Sequence, residues 1–249
     1  MPSILANSPY NQDIGRRWLV QAEAEHASVA SFARHTLQLV SIGAPSELLV
    51  ASQKASVDEI KHSKMCYGFA SAFLGSDLGP GSLEVNKSLE GMDLKEITRS
   101  VIQEGCIEET LSALEARFAA HTAEDNAVKT VASEIASDEI RHAQLAWDTI
   151  AWILERYPDT RTFVEEIFNA ELELRLLPVR SDTYSSPTTP CMTTEMDASF
   201  RRYGLLDTAS RDKLRDAGIR GIIAPVYHSG FKDISLISHR INKMTIAIP

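Results

Sequence analysis

A short phrase occurs twice in this chain: Asp58-Glu59-Ile60-Lys61-His62 and, eighty positions on, Asp138-Glu139-Ile140-Arg141-His142. No other feature limits the fold as tightly. Residues three apart on an α-helix share a face, so each copy aims one carboxylate and one imidazole the same way. A single Glu-x-x-His arises readily on any charged helix. Two copies, each preceded by Asp and enclosing an Ile–basic pair, are much harder to dismiss.

Each copy has an upstream glutamate at nearly the same distance, 34 positions for Glu25 to Glu59 and 35 for Glu104 to Glu139. The heights also agree. From Glu25 a helix can run to about Ile42, roughly 26 Å, and the next returns from Ser46 to Glu59, roughly 20 Å. Antiparallel neighbours of these lengths bring Glu25 level with Glu59 and His62. The same calculation takes Glu104 up to about His121 and back from Ala123 to Glu139. Two helical hairpins then form a four-helix bundle with four carboxylates and two imidazoles inside.

The punctuation supports this layout. The spacing predicts a first helix from about Asp13 to Ile42. Gly43-Ala44-Pro45-Ser46 is a compact turn, with Ser46 and Glu47 placed to cap a second helix that runs to Leu74. The connection from Gly75 to about Met92 is long, and Asp93 is placed as an N-cap. Loops of this length are uncommon unless they serve a structural or functional purpose. The third helix is expected from Leu94 to His121 and the fourth from Ala123 to Tyr157, closed by Pro158. Their turn carries neither Gly nor Pro. A fifth helix is predicted over about 159–176, ended by Pro178. Residues 179–196 read as an irregular strap, about 208–223 as a helix ending before Pro225, and 244–248 as an extended tail. The expected division is a bundle unit over 1–177 and an extension over 178–249.

Over about residues 14–157 the sequence resembles the ferritin-like di-iron superfamily, whose relatives include rubrerythrins, bacterioferritins and di-iron oxygenases. The resemblance implies an all-α, ferritin-like antiparallel bundle with one long crossover and a mostly helical C-terminal extension. It implies two iron ions, or a manganese–iron pair, held by Glu25, Glu59, His62, Glu104, Glu139 and His142. Glu25 and Glu104 would be terminal, Glu59 and Glu139 bridging, with one imidazole per metal. Asp58 and Asp138 would each take the outer N–H of a ligating imidazole across the bundle. Two divalent cations would offset the four negative charges, and mixed carboxylate–imidazole donors suit iron or manganese better than a closed zinc site.

Alternatives stand beside several assignments. Glu23 or His26 could replace Glu25. Glu108, Glu109 and Glu115 compete with Glu104, which alone matches the spacing of the first half. Glu108 lies four residues beyond Glu104 and is the candidate catalytic group, as a further carboxylate or proton carrier; its bland reading is a partner for a basic side chain. Ser28, Val29 and Ile107 are expected to line the pocket. Cys66 and Cys106 read as small core residues, Tyr67 as aimed away from the metals, and Trp147 and Trp152 as packing residues. His35, His121, His228 and His239 lack partner spacing.

The composition is that of a globular protein, 44% hydrophobic and 24% charged. A formal net charge of −9 argues against broad nucleic-acid or anionic-membrane binding. Three widely spaced cysteines and no apolar run or leader pattern give the expectation of a cytoplasmic chain with free thiols. A homodimer is compatible with these features. The reading is an O2-activating oxidase or oxygenase with an unidentified small organic or peptide substrate and reductant. The alternatives are a ferroxidase, iron-storage or peroxide-detoxifying protein, and a di-iron tRNA hydroxylase. The absence of a Cys-x-x-Cys pair counts against a rubrerythrin.

Overall fold

The structure is a computed structural model that describes Pro2 and residues 8–86, 88, 90–176 and 194–244. Helix α1 spans Asn11–Ser41 and α2 spans Ser46–Leu74. Gly43, at φ +69°, makes the left-handed step between them, and Gly75, at φ +67°, ends α2. Helix α3 is composite: α-helical over Leu94–Ser100, π-helical over Val101–Glu109 and α-helical again over Thr110–Thr122. Helix α4 spans Asn126–Arg156. Asp93 and Asp125 cap α3 and α4, each carboxylate accepting two backbone N–H groups. The turn before α4 needs neither Gly nor Pro. The Glu124 and Asp125 N–H groups donate to the Arg202 carbonyl, so a distant segment fixes it.

These four helices pack around one interior. His62 pairs with Asp138 and His142 with Asp58, so α2 and α4 run antiparallel. Arg34 of α1 pairs with Glu104 of α3, closing the ring on the other side. Gly105 lets α3 lie close against α4: a Cβ there would lie 2.5 Å from the Ala146 Cβ. The Tyr157 hydroxyl donates to the Ile42 carbonyl, which puts the end of α4 beside the end of α1. Helices α2 and α3 therefore run in the same direction. The connection between them must travel back along the bundle, about 40 Å at the helical rise, well within its extended reach.

Apolar side chains lie in layers. Trp18, Ala22, Cys66, Phe69, Phe73 and Ile135 fill one end of the bundle. Phe32, Leu39, Leu48, Ala55 and Leu145 fill part of the other. The acids and imidazoles of the repeated phrase sit between these layers. Each large side chain so buried contributes roughly 1.5–3 kcal/mol. Both expectations for Cys66 and Cys106 as buried core thiols agree with this packing; Cys191 lies outside the described residues.

Beyond the bundle, a 3-10 turn at Pro158–Thr160 leads into α5, Arg161–Leu176. Helix α6 covers Thr194–Arg202. Helix α7 is continuous through Thr208–Gly218, a π stretch at Ile219–Ile223 and Ala224–His228. Pro225 does not stop it, contrary to expectation, because the π stretch just before it already departs from the i→i−4 ladder that a proline breaks. A 3-10 turn at Ile234–Leu236 precedes α8, Ile237–Lys243. Phe168, Ile219, Ile223, Val226, Ile237 and Ile241 merge with Ile102, Ile107, Leu111, Trp147 and Ile150 in one apolar cluster. The extension thus covers the outer side of the α3–α4 hairpin. Among the described residues the protein is all-helical, with no strand, and no helix is long and apolar enough to cross a membrane. The predicted strap, apart from its last three residues in α6, and the predicted tail beyond Met244 lie outside the described residues.

Candidate metal centre

Midway along the bundle, Glu25, Glu59, His62, Glu139 and His142 are all buried. The His62 Nδ1 stands 3.6 Å from Glu25, 3.7 Å from Glu59 and 3.5 Å from Glu139. The His142 Nδ1 stands 3.1 Å from Glu59, 3.8 Å from Glu139 and 3.8 Å from Glu109. The two rings are 6.0 Å apart between centroids. Glu59 and Glu139 therefore lie between the imidazoles, Glu25 on the His62 side and Glu109 on the His142 side. The donor atoms of Glu25, Glu59, His62 and Glu139 converge within 4.8 Å of one another, as do those of Glu109, Glu139 and His142. Either group can hold a metal ion.

Two sequence assignments change. Glu104 is not in the cluster: it is exposed, accepts from Ser100 and pairs with Arg34. Glu109 stands in its place. The cause is the π-helix, in which the turn closes at i→i+5. The wider turn changes which positions of α3 share a side, and Glu104 and Glu109, five residues apart, both line a small cavity beside His142. Spacing counted as for a regular α-helix picked the outer residue. Glu108, the catalytic candidate, is likewise rotated out of the interior and pairs with Arg175 and Arg215, the latter from α7. Its role is the bland one considered for it, a carboxylate that holds basic side chains. Of the expected pocket residues, Ser28 lines the cavity beside the cluster, whereas Ile107 belongs to the apolar core.

The outer imidazole atoms meet the expected partners. The His62 Nε2 lies 3.0 Å from an Asp138 oxygen and the His142 Nε2 3.4 Å from an Asp58 oxygen. With the proton on Nε2 donated to the aspartate, each ring turns the lone pair of Nδ1 inward. Arg141, half of the basic pair inside the phrase, binds both Asp58 and Asp138 and holds the two acceptors together. Gln21 donates to Glu25 at 2.5 Å. Neither part was assigned from sequence, although Gln21 lies one α-turn before Glu25 and so on its face.

The electrostatics fit a site built for cations. Burial pushes the Glu109 carboxyl well up and the Glu139 carboxyl up to about 7, with neighbouring glutamates adding to both. Burial likewise raises Glu25. At Glu59 burial acts upward too, but the adjacent His142 and His62 imidazoles prevail and hold it at about 2. Burial lowers both imidazoles, yet the surrounding carboxylates outweigh it and leave each above its usual value. Glu59 Oε2 and both Nδ1 atoms are buried without a hydrogen-bond partner. Buried polar atoms left without a partner are costly, and a cation pair would engage the lone pairs of all three. The donor set is oxygen and nitrogen only. Cys66 stays outside both converging groups, its thiol pushed up by burial and by the acids.

A cavity of about 650 Å³ opens onto Glu25, Glu59, Glu109 and Glu139 from between α1 and α3. Residues Gly204–Leu206 and Arg211 of the extension form part of its wall. No described residue of the long connection lines it. Comparison with protein-family models, with characterised proteins and with solved structures finds no match for this chain.

Proposed function

We propose that the chain is a ferritin-like di-iron, or manganese–iron, oxidase or oxygenase acting on a small organic molecule. The observation that carries the reading is the convergence of Glu25, Glu59, Glu109, Glu139, His62 and His142 at the floor of a cavity large enough for a ligand. Four carboxylates and two imidazoles from facing helices match the donor set of carboxylate-bridged two-metal bundles. Oxygen and nitrogen donors favour iron or manganese over metals that seek thiolate. Glu25, Glu59, His62 and Glu139 would hold one ion, and Glu109 and His142, with Glu139 again, the other.

When bound, such a pair supplies the reduction of O2 or peroxide. The protein's own part is to position and to protect. Asp138 and Asp58 fix the tautomers of His62 and His142, keeping each Nδ1 free of protons toward the interior. The apolar layers above and below shield the cluster along the bundle, leaving the cavity as its approach. Glu109 and Glu139, buried at the cavity floor, would bind the ions as carboxylates, so metal uptake releases the protons that burial favours there in the metal-free site. The cavity walled by the extension supports an organic substrate over bare iron storage.

Titration of the metal-free protein with Fe(II) in air tests the reading. Oxidation that saturates near about two irons per chain, with no mineral, is the expected result. Oxidation that continues far past that point and yields a ferric core would shift the function to ferroxidase or storage. No iron binding would reject the metal centre.

A further inference from the structure

The cavity has a chemical polarity that the metal reading alone does not use. Its floor is acidic, its wall includes the small or apolar Ala24, Ala116, Ile135 and Leu205, and its rim carries Arg16, Arg17 and Arg211. Two of the three rim guanidiniums are spoken for. Arg16 pairs with Asp13 at 2.9 Å and Arg211 with Glu115 at 2.7 Å. Arg17 differs: it donates to the Leu206 carbonyl at 3.1 Å and lies 5.1 Å from the Phe200 ring centroid. No carboxylate among the described residues pairs with it. The backbone carbonyl and the ring hold it in place without cancelling its charge. In a chain of net charge −9, an uncancelled, positioned guanidinium at a cavity mouth is a specific feature.

We infer that this cavity takes an amphiphilic monocarboxylate, its head group at Arg17 and its apolar body along the wall toward the Glu25–Glu139 floor. This rests on the proposed function, since it names the class of molecule presented to the metal centre. A planar guanidinium matches a carboxylate in two parallel hydrogen bonds, a geometry that lysine or an amide cannot reproduce. Arg17 carries the positive charge of the lining that no carboxylate among the described residues cancels, so the head group is held at the mouth and the apolar end points inward along the wall. A volume of about 650 Å³ lies within the usual range for sites of small organic ligands.

The test is calorimetric titration of the full chain, as isolated, with decanoate and with decanol. Both have the same chain length, and only one carries the anion. Decanoate is expected to bind at one site, and decanol about tenfold or more weaker. Arg17→Gln should erase that difference. Ala24→Phe, at an exposed helical position facing the cavity, should abolish binding of both without relying on the rim. Failure of decanoate to bind, equal binding of decanol, or decanoate binding unchanged in Arg17→Gln would overturn the inference. So would binding lost in Arg17→Gln but kept in Ala24→Phe, which would place the anion on the outer surface. Iron content of the same preparations separates the two claims. Normal iron with no decanoate selectivity sinks the substrate class alone, whereas no iron with selective decanoate binding sinks the oxidase reading alone.

Discussion

The two hairpins carry the same phrase in unlike surroundings. In the α1–α2 hairpin both helices are regular, and Ile60 points into solvent, 56% exposed, along with Val50 and Val57. In the α3–α4 hairpin one helix has a π stretch, and Ile140 packs against the large apolar cluster that α5, α7 and α8 share with it. The inward faces nonetheless agree: each hairpin presents one upstream glutamate, one Glu-x-x-His pair and one aspartate for the opposite imidazole. The difference teaches that the inner layer is set by side-chain chemistry, while the outer side is free to diverge with what covers it.

The sharpest way to break this comparison is at the π stretch. Glu109→Ala should weaken metal binding by about two orders of magnitude or more, a larger effect than loss of an outer-shell partner. Glu104→Ala should leave it nearly unchanged, because the exposed Glu104 pairs with Arg34 and Ser100 and stands outside both converging groups. Equilibrium dialysis against Mn(II) distinguishes the two variants, and the reverse order would restore the spacing-based assignment.

The covered and bare outer faces predict a second asymmetry. Ile140→Lys should cost about 2–3 kcal/mol by denaturant unfolding, since it puts a charge against a packed cluster. Ile60→Lys should change stability by no more than about 0.5 kcal/mol. Equal costs would mean that the exposed face of α2 is covered in solution.

The imidazole partners differ more subtly. Asp138→Asn should lower metal affinity by about ten- to a hundredfold, and Asp58→Asn by less, in line with the 3.0 Å and 3.4 Å contacts. Similar losses would mean that Arg141, which touches both aspartates, equalises them.

A pH effect is expected at His35 of α1, which lines a small cavity with Arg34, Ser100, Val101 and Glu104. Burial, with the Arg34 charge adding to it, lowers this imidazole from 6.5 to about 4. A depressed folded value means that the unfolded chain takes up the proton first. The contribution to stability is complete above about pH 6.5 and is lost as pH falls toward 4. His35→Gln should flatten the stability profile across that interval and leave it unchanged at pH 8.

The regular hairpin was legible because its signals are local. Gly43 and Gly75 mark helix ends, and a 3.6-residue period converts spacing into height without correction. Asp58 and Asp138 were legible because a ligating imidazole needs a partner for its outer N–H. The π stretch left no comparable mark: Val101–Glu109 contains nothing that distinguishes a wide turn from an ordinary one, so the count fell one turn short and chose Glu104. The turn at Glu124–Asp125 was opaque because its acceptor, the Arg202 carbonyl, lies far along the chain. Helices α6 and α8 are short and depend on packing for their stability, which propensity alone does not reveal. Arg141 was visible as a basic residue in the phrase, but its bridging contact requires both aspartates to be placed first.

The most direct test of the account is the metal content of the chain loaded anaerobically with Fe(II) and freed of excess. About two ions per chain in the wild type, falling to one or none in Glu139→Ala, is the predicted result, since Glu139 belongs to both converging groups. A full complement in Glu139→Ala, or no retained iron in the wild type, would contradict the assignment of these six residues to a metal pair.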